Sequence, residues 1–187
     1  MDEKPSYVGM LTATAVAEHR TAMALETWSK ATEDTQLAAA LDQVANREEE
    51  HSVAFINRLG ELGFDFVPSP LDEYTDSVML GVARSAATDI EKFRLLLNYD
   101  DSVTAESYGL VHMFDDESLD PQTCELIGRF IAEERVSDVL LRSELHRIVL
   151  SGQVATPEAD EDKLIAEVAS CVEQMTRILE DLKRARG

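Results

Sequence analysis

The chain has 187 residues, with 17 Lys plus Arg against 37 Asp plus Glu and a formal net charge of -20. That balance argues against a nucleic-acid binder or a protein held on an anionic membrane, since both need a basic surface to offset phosphate charge. With 44% hydrophobic residues but only 8 Gly and 5 Pro, the chain has a core to bury and few turns, which disfavours strand-rich folds and disorder.

The apolar spacing is helical almost everywhere. A first helix is expected from about Tyr7 to Lys30, with Leu11, Ala15, Ala22 and Leu25 on one side. Asp34 reads as the N-cap of a long second helix, which carries Leu37, Leu41, Val44, Phe55, Leu59 and Leu62 and stops at Gly63. Gly63 to Ser69, with Phe64, Phe66 and Pro68, breaks the pattern before Pro70 and reads as a crossover along the length of a bundle.

A third helix is expected from about Tyr74 to Tyr99, followed by a short piece from Thr104 to Phe114. Asp120-Pro121 is a cap followed by proline in the first helical position, opening a helix to about Leu150 that ends at Gly152. Thr156-Pro157 opens a last amphipathic helix, to about residue 186. The whole reads as one all-α domain: a core bundle over about 7–151 and an additional C-terminal helix. No stretch approaches the roughly 18 uncharged apolar residues of a membrane span, and the N-terminus has no apolar signal core, so a soluble, cytoplasmic protein is expected.

Most acidic residues fall on the solvent side of these helices, but three do not. Glu18 shares the stripe of Leu11, Ala15, Ala22 and Leu25. Glu48 lies near the middle of the second helix's stripe, and Glu134 at the centre of Ile127, Phe130, Ile131, Leu141 and Leu145. An ionised carboxylate on a core-facing stripe costs several kcal/mol unless a cation or a dense hydrogen-bond shell compensates it. Three on three helices suggest one shared cation. His51 is three residues after Glu48, so both side chains leave one helix face a turn apart and can reach the same ion.

On these residues the chain resembles the ferritin-like superfamily of carboxylate-bridged di-iron and di-manganese proteins. Glu18 followed by Glu48-Glu49-Glu50-His51 matches the first half of that pattern, Glu on one helix and Glu-x-x-His on the next. The stretch Arg47 to Gly60, REEEHSVAFINRLG, resembles the second helix of rubrerythrin-related domains. The resemblance implies an antiparallel four-helix bundle with a long crossover. It also implies an iron or manganese centre in which Glu18 and Glu134 are terminal or bridging ligands, Glu48 bridges and His51 supplies nitrogen. Oxygen or peroxide activation would follow, with electrons from a separate protein.

The second half departs from the pattern. Sliding the chain by about 86 residues places Asp34 on Asp120 and Glu48 on Glu134, but puts Ser137 opposite His51. Starting from Glu133 instead places Val136 there. Asp138 is a substitute oxygen donor, and Asp89 or Glu106 the candidate carboxylate from the third helix region. The expected site is therefore incomplete or asymmetric.

Two other readings compete. One is a ferritin-like scaffold that has lost its metal and serves as a binding or assembly module; for either reading a homodimer is an expectation. The other is a heme oxygenase-like helical fold with His19 as ligand, weakened by the lack of a glycine-rich distal helix. His112 and His146 read as isolated, Trp28 as a packing residue, and Cys124 and Cys171 as reduced thiols.

Overall fold

A computed structural model describes residues 5–67, 70–99 and 116–151, with side-chain detail in α3 beginning at Thr75. Among these residues the fold is all-helical: α1 (Val8–Ser29), α2 (Thr35–Glu61), α3 (Pro70–Arg84), α4 (Asp89–Leu97) and α5 (Pro121–Leu150). The expected pieces at Thr104–Phe114 and about 157–186, with Glu106, His112 and Cys171, lie outside the described residues. No helix among the described residues is long and apolar enough to cross a membrane.

Both long helices after the first begin where capping chemistry dictates. The Asp34 carboxylate accepts from the Gln36 and Leu37 amides, and the Asp120 carboxylate from those of Gln122 and Thr123. α2 ends at Glu61 with Leu62 as its C-cap, after which Gly63 takes a φ of 82°, where a side chain would be strained. Phe64 and Phe66 then pack against the core on their way to α3.

The third element is not the single helix expected from Tyr74 to Tyr99. It starts earlier, at Pro70, and is broken between Arg84 and Asp89. Ser85 turns back on the Val82 carbonyl, and Thr88 opens α4 with a capping box: its hydroxyl accepts from the Glu91 amide while the Glu91 carboxylate accepts from the Thr88 amide. A reciprocal cap satisfies amides that a continuous helix would have bonded internally, which makes the break affordable.

α1 and α2 form an antiparallel hairpin, tied mid-length by Ser52 Oγ, which donates to the Ala15 carbonyl at 2.8 Å. α5 lies antiparallel to α2, with Gln36 reaching Glu144 and Arg58 reaching Gln122. Two apolar clusters fill the space between helices. One gathers Leu25, Trp28, Leu41, Val44, Phe93 and Leu141; the other gathers Leu11, Ala15, Phe55, Ile127, Phe130 and Ile131. Each long helix contributes to both clusters. The residues between its two contributions are Glu18 on α1, Glu48 and His51 on α2, and Glu134 on α5. The polar groups therefore form a layer between two apolar cores, which is the arrangement that makes their ionisation expensive.

Candidate metal centre

The four sequence-predicted residues meet. Glu18, Glu48, His51 and Glu134 each offer one ligand atom, and these atoms all lie within 4.8 Å of one another. Glu48 is 3% exposed, His51 4% and Glu18 8%, while the Glu134 side chain is 18% exposed. An octahedral ion with bonds of about 2.1 Å holds its ligand atoms about 3.0–4.2 Å apart, so contraction by a few tenths of an ångström would close this group on a cation.

His51 is oriented from both sides. Its Nε2 lies 2.8 Å from a Glu133 carboxylate oxygen, and its Nδ1 lies 3.3 Å from Glu18 Oε2 and 3.3 Å from Glu134 Oε1. The edge-to-face contact with the Phe130 ring, centroids 5.0 Å apart, fixes the plane of the imidazole. Nδ1 can carry a single hydrogen, and its hydrogen-bond contact is with Glu18. Glu134 Oε1 is thus within ion-pair distance yet is buried with no hydrogen-bond partner. Were the ring to lose its Nδ1 proton while Nε2–H stays with Glu133, the Nδ1 lone pair would face the carboxylates, the orientation a metal-ligating histidine needs.

Protonation reports the same crowding. Burial, then the carboxylates of Glu18 and Glu134, push Glu48 up to about 11. Burial alone would lower His51, but the carboxylates of Glu134, Glu18 and Glu133 around it outweigh that and raise it to about 10. Without a metal, the cluster at neutral pH therefore holds a carboxyl proton and an imidazolium. Like charges at this distance cannot all ionise in a largely buried layer.

The weaker candidates are committed elsewhere. Asp89 accepts from Trp28 Nε1 and from the Thr32 hydroxyl, both at 2.7 Å, so it locks the end of α1 onto α4 and stands outside the four-residue group. Trp28, fully buried against the Phe93 ring, is a packing residue as expected. Asp138 is 3% exposed but takes both oxygens to Arg142 Nε, at 2.9 and 3.0 Å, one turn along α5. A cation one turn away compensates it, so it does not turn to the cluster. His19 is exposed and pairs with Glu49 at 2.7 Å, and His146 is exposed. Cys124 is a free, partly buried thiol.

Two participants escape a sequence reading. Glu133 was set aside because a Glu-x-x-His step from it meets Val136, yet it holds His51 from across the α2–α5 interface. Arg47, which precedes the Glu48-x-x-His51 motif, donates from Nη1 to Ser137 Oγ at 3.0 Å and to the Glu133 carbonyl at 3.5 Å. No family model, curated protein or solved structure matches the chain.

Proposed function

We propose that this chain is a ferritin-like metal-binding protein whose centre is Glu18, Glu48, His51 and Glu134, taking iron or manganese. The observation that carries the reading is the buried, unpartnered Glu134 Oε1 facing three other potential ligands. Native proteins leave few such oxygens, and a cation bound by the group would satisfy this one. Three carboxylates and one imidazole are a hard, oxygen-rich donor set, suited to iron or manganese over copper, with zinc tolerated. The hairpin of α1 and α2 with α5 beside it is compatible with the ferritin-like bundle that the sequence resembles. A redox cycle at such an ion would draw electrons from a separate protein, since the chain's two cysteines cannot build a four-thiolate iron centre.

A second reading is favoured by the protonation pattern. His51 as an imidazolium contacts Glu18, Glu133 and Glu134, and a proton on Glu48 relieves the rest, so two protons can stand in for an ion in a metal-free scaffold. Elemental analysis of protein purified without added metal, repeated on Glu48→Ala and His51→Ala, separates the two. Stoichiometric iron or manganese lost in both variants supports the metal centre. Metal-free protein that refuses added ferrous and manganous ion supports the scaffold.

A further inference from the structure

α2 and α5 carry matching contacts under one exchange. Asp34 caps α2 as Asp120 caps α5, and the same offset pairs Gln36 with Gln122 and Arg58 with Glu144. Gln36 Nε2 donates to Glu144 Oε1 at 2.9 Å, and its counterpart is Arg58 Nη1 donating to Gln122 Oε1 at 2.8 Å. Nearer the middle, His51 to Glu133 at 2.8 Å has as its counterpart Arg47 to Ser137 at 3.0 Å. Glu48 and Glu134 exchange with each other, so a local two-fold passes between them.

The two halves of the centre then differ in one respect. On one side of the axis a ring nitrogen faces the carboxylates and its far nitrogen is held by Glu133. On the other, the residue in the histidine's place is Ser137, 4% exposed, with its oxygen accepting from Arg47. A guanidinium offers donors only and cannot ligate a cation, and it occupies the Ser137 oxygen as an acceptor.

We infer that the second half of the centre, with Ser137 in the histidine's place and its hydroxyl bonded to Arg47, supplies no nitrogen ligand, so that the chain binds one divalent cation. This rests on the metal reading above.

The test is a titration of the chelator-stripped full-length protein with Mn2+, counting free ion by its electron paramagnetic resonance signal and bound ion by equilibrium dialysis. One Mn2+ per chain is expected for the wild type and for Arg47→Lys, which keeps a donor to the Ser137 hydroxyl. Arg47→Gln combined with Ser137→His should bind two, with the broadened spectrum of a coupled pair. Arg47→Gln with Ser137→Asp supplies a smaller oxygen ligand should the histidine variant fail to fold. Two ions in the wild type would overturn the inference while leaving the metal reading standing. One ion in a folded double variant would also overturn it. No binding by the wild type would remove the metal reading itself, and the inference with it.

Discussion

Replacing Glu48 by glutamine isolates the energetic cost of the polar layer. In the unfolded chain this carboxyl titrates near 4.5, whereas in the fold burial and the neighbouring carboxylates push it up to about 11. Folding without a metal at pH 7 must therefore place a proton on a group that is ionised when unfolded. That costs about 3 kcal/mol, set by the gap between pH 7 and the unfolded value and insensitive to where above 7 the folded value lies. A raised carboxyl destabilises progressively above its unfolded pKa, by about 1.4 kcal/mol per pH unit. His51 adds to the slope: its folded value near 10 lies above the unfolded 6.5, so its contribution is complete below 6.5 and is lost as pH rises toward 10.

Metal-free protein should thus lose about 2.7 kcal/mol of stability per pH unit between 7 and 9 from these two groups. Glu48→Gln keeps the shape and the hydrogen-bonding capacity without needing the proton. It should raise the melting temperature of the chelator-stripped protein by about 6–12 °C at pH 7 and roughly halve the slope. Thermal melts by circular dichroism across pH 6–9 supply both numbers. A variant that melts at or below the wild-type temperature at pH 8, with the full slope retained, would refute a proton held in the carboxylate triad.

The same protons must leave when an ion binds, because coordinating carboxylate and imidazole are unprotonated. Metal affinity should rise by about two log units per pH unit near neutrality, and calorimetry in buffers of different ionisation enthalpy should count two protons released per ion. Glu133→Gln leaves the four ligands in place but weakens the grip on His51 Nε2. It should lower metal affinity about 10–100-fold without changing the number of ions bound, as read by competition with a chromophoric chelator. Asp89→Ala strands the buried Trp28 indole N–H and should destabilise by about 1–3 kcal/mol in urea titrations, with metal content unchanged. On the acid side, burial opposes but the Thr123 hydroxyl and Arg58 prevail, holding Asp120 far below the ordinary carboxylate range. Its stabilisation is present above pH 4 and lost as pH falls through the folded value, so Asp120→Ala should cost about 1 kcal/mol at pH 7 and flatten the acid limb of the stability curve.

The polar layer was legible because charge on an apolar stripe is a conflict that one sequence displays unaided. Glu18, Glu48 and Glu134 each sit among core residues at helical spacing, and the fold brings them together. Asp34 and Asp120 were legible for a similar reason, since a short acid before a helical run has a specific job. The break at Ser85–Thr88 was present in the sequence as Thr88-x-x-Glu91, but the apolar stripe running through it from Val78 to Leu97 concealed the interruption. Asp89 and Asp138 were misleading, because bordering an apolar face is equally consistent with a tryptophan N–H or an arginine one turn away. Glu133 and Arg47 were not legible: their roles arise across the α2–α5 interface, and pairwise register between helices has no signature within either one.

Crystals of protein grown with Mn2+, measured on the low- and high-energy sides of the manganese absorption edge, test the central claim most directly. One anomalous peak is expected per chain, within bonding distance of Glu18, Glu48, Glu134 and His51 Nδ1, with Glu133 still bonded to Nε2. Density of no anomalous strength among those four side chains, from protein saturated with the ion, would contradict it.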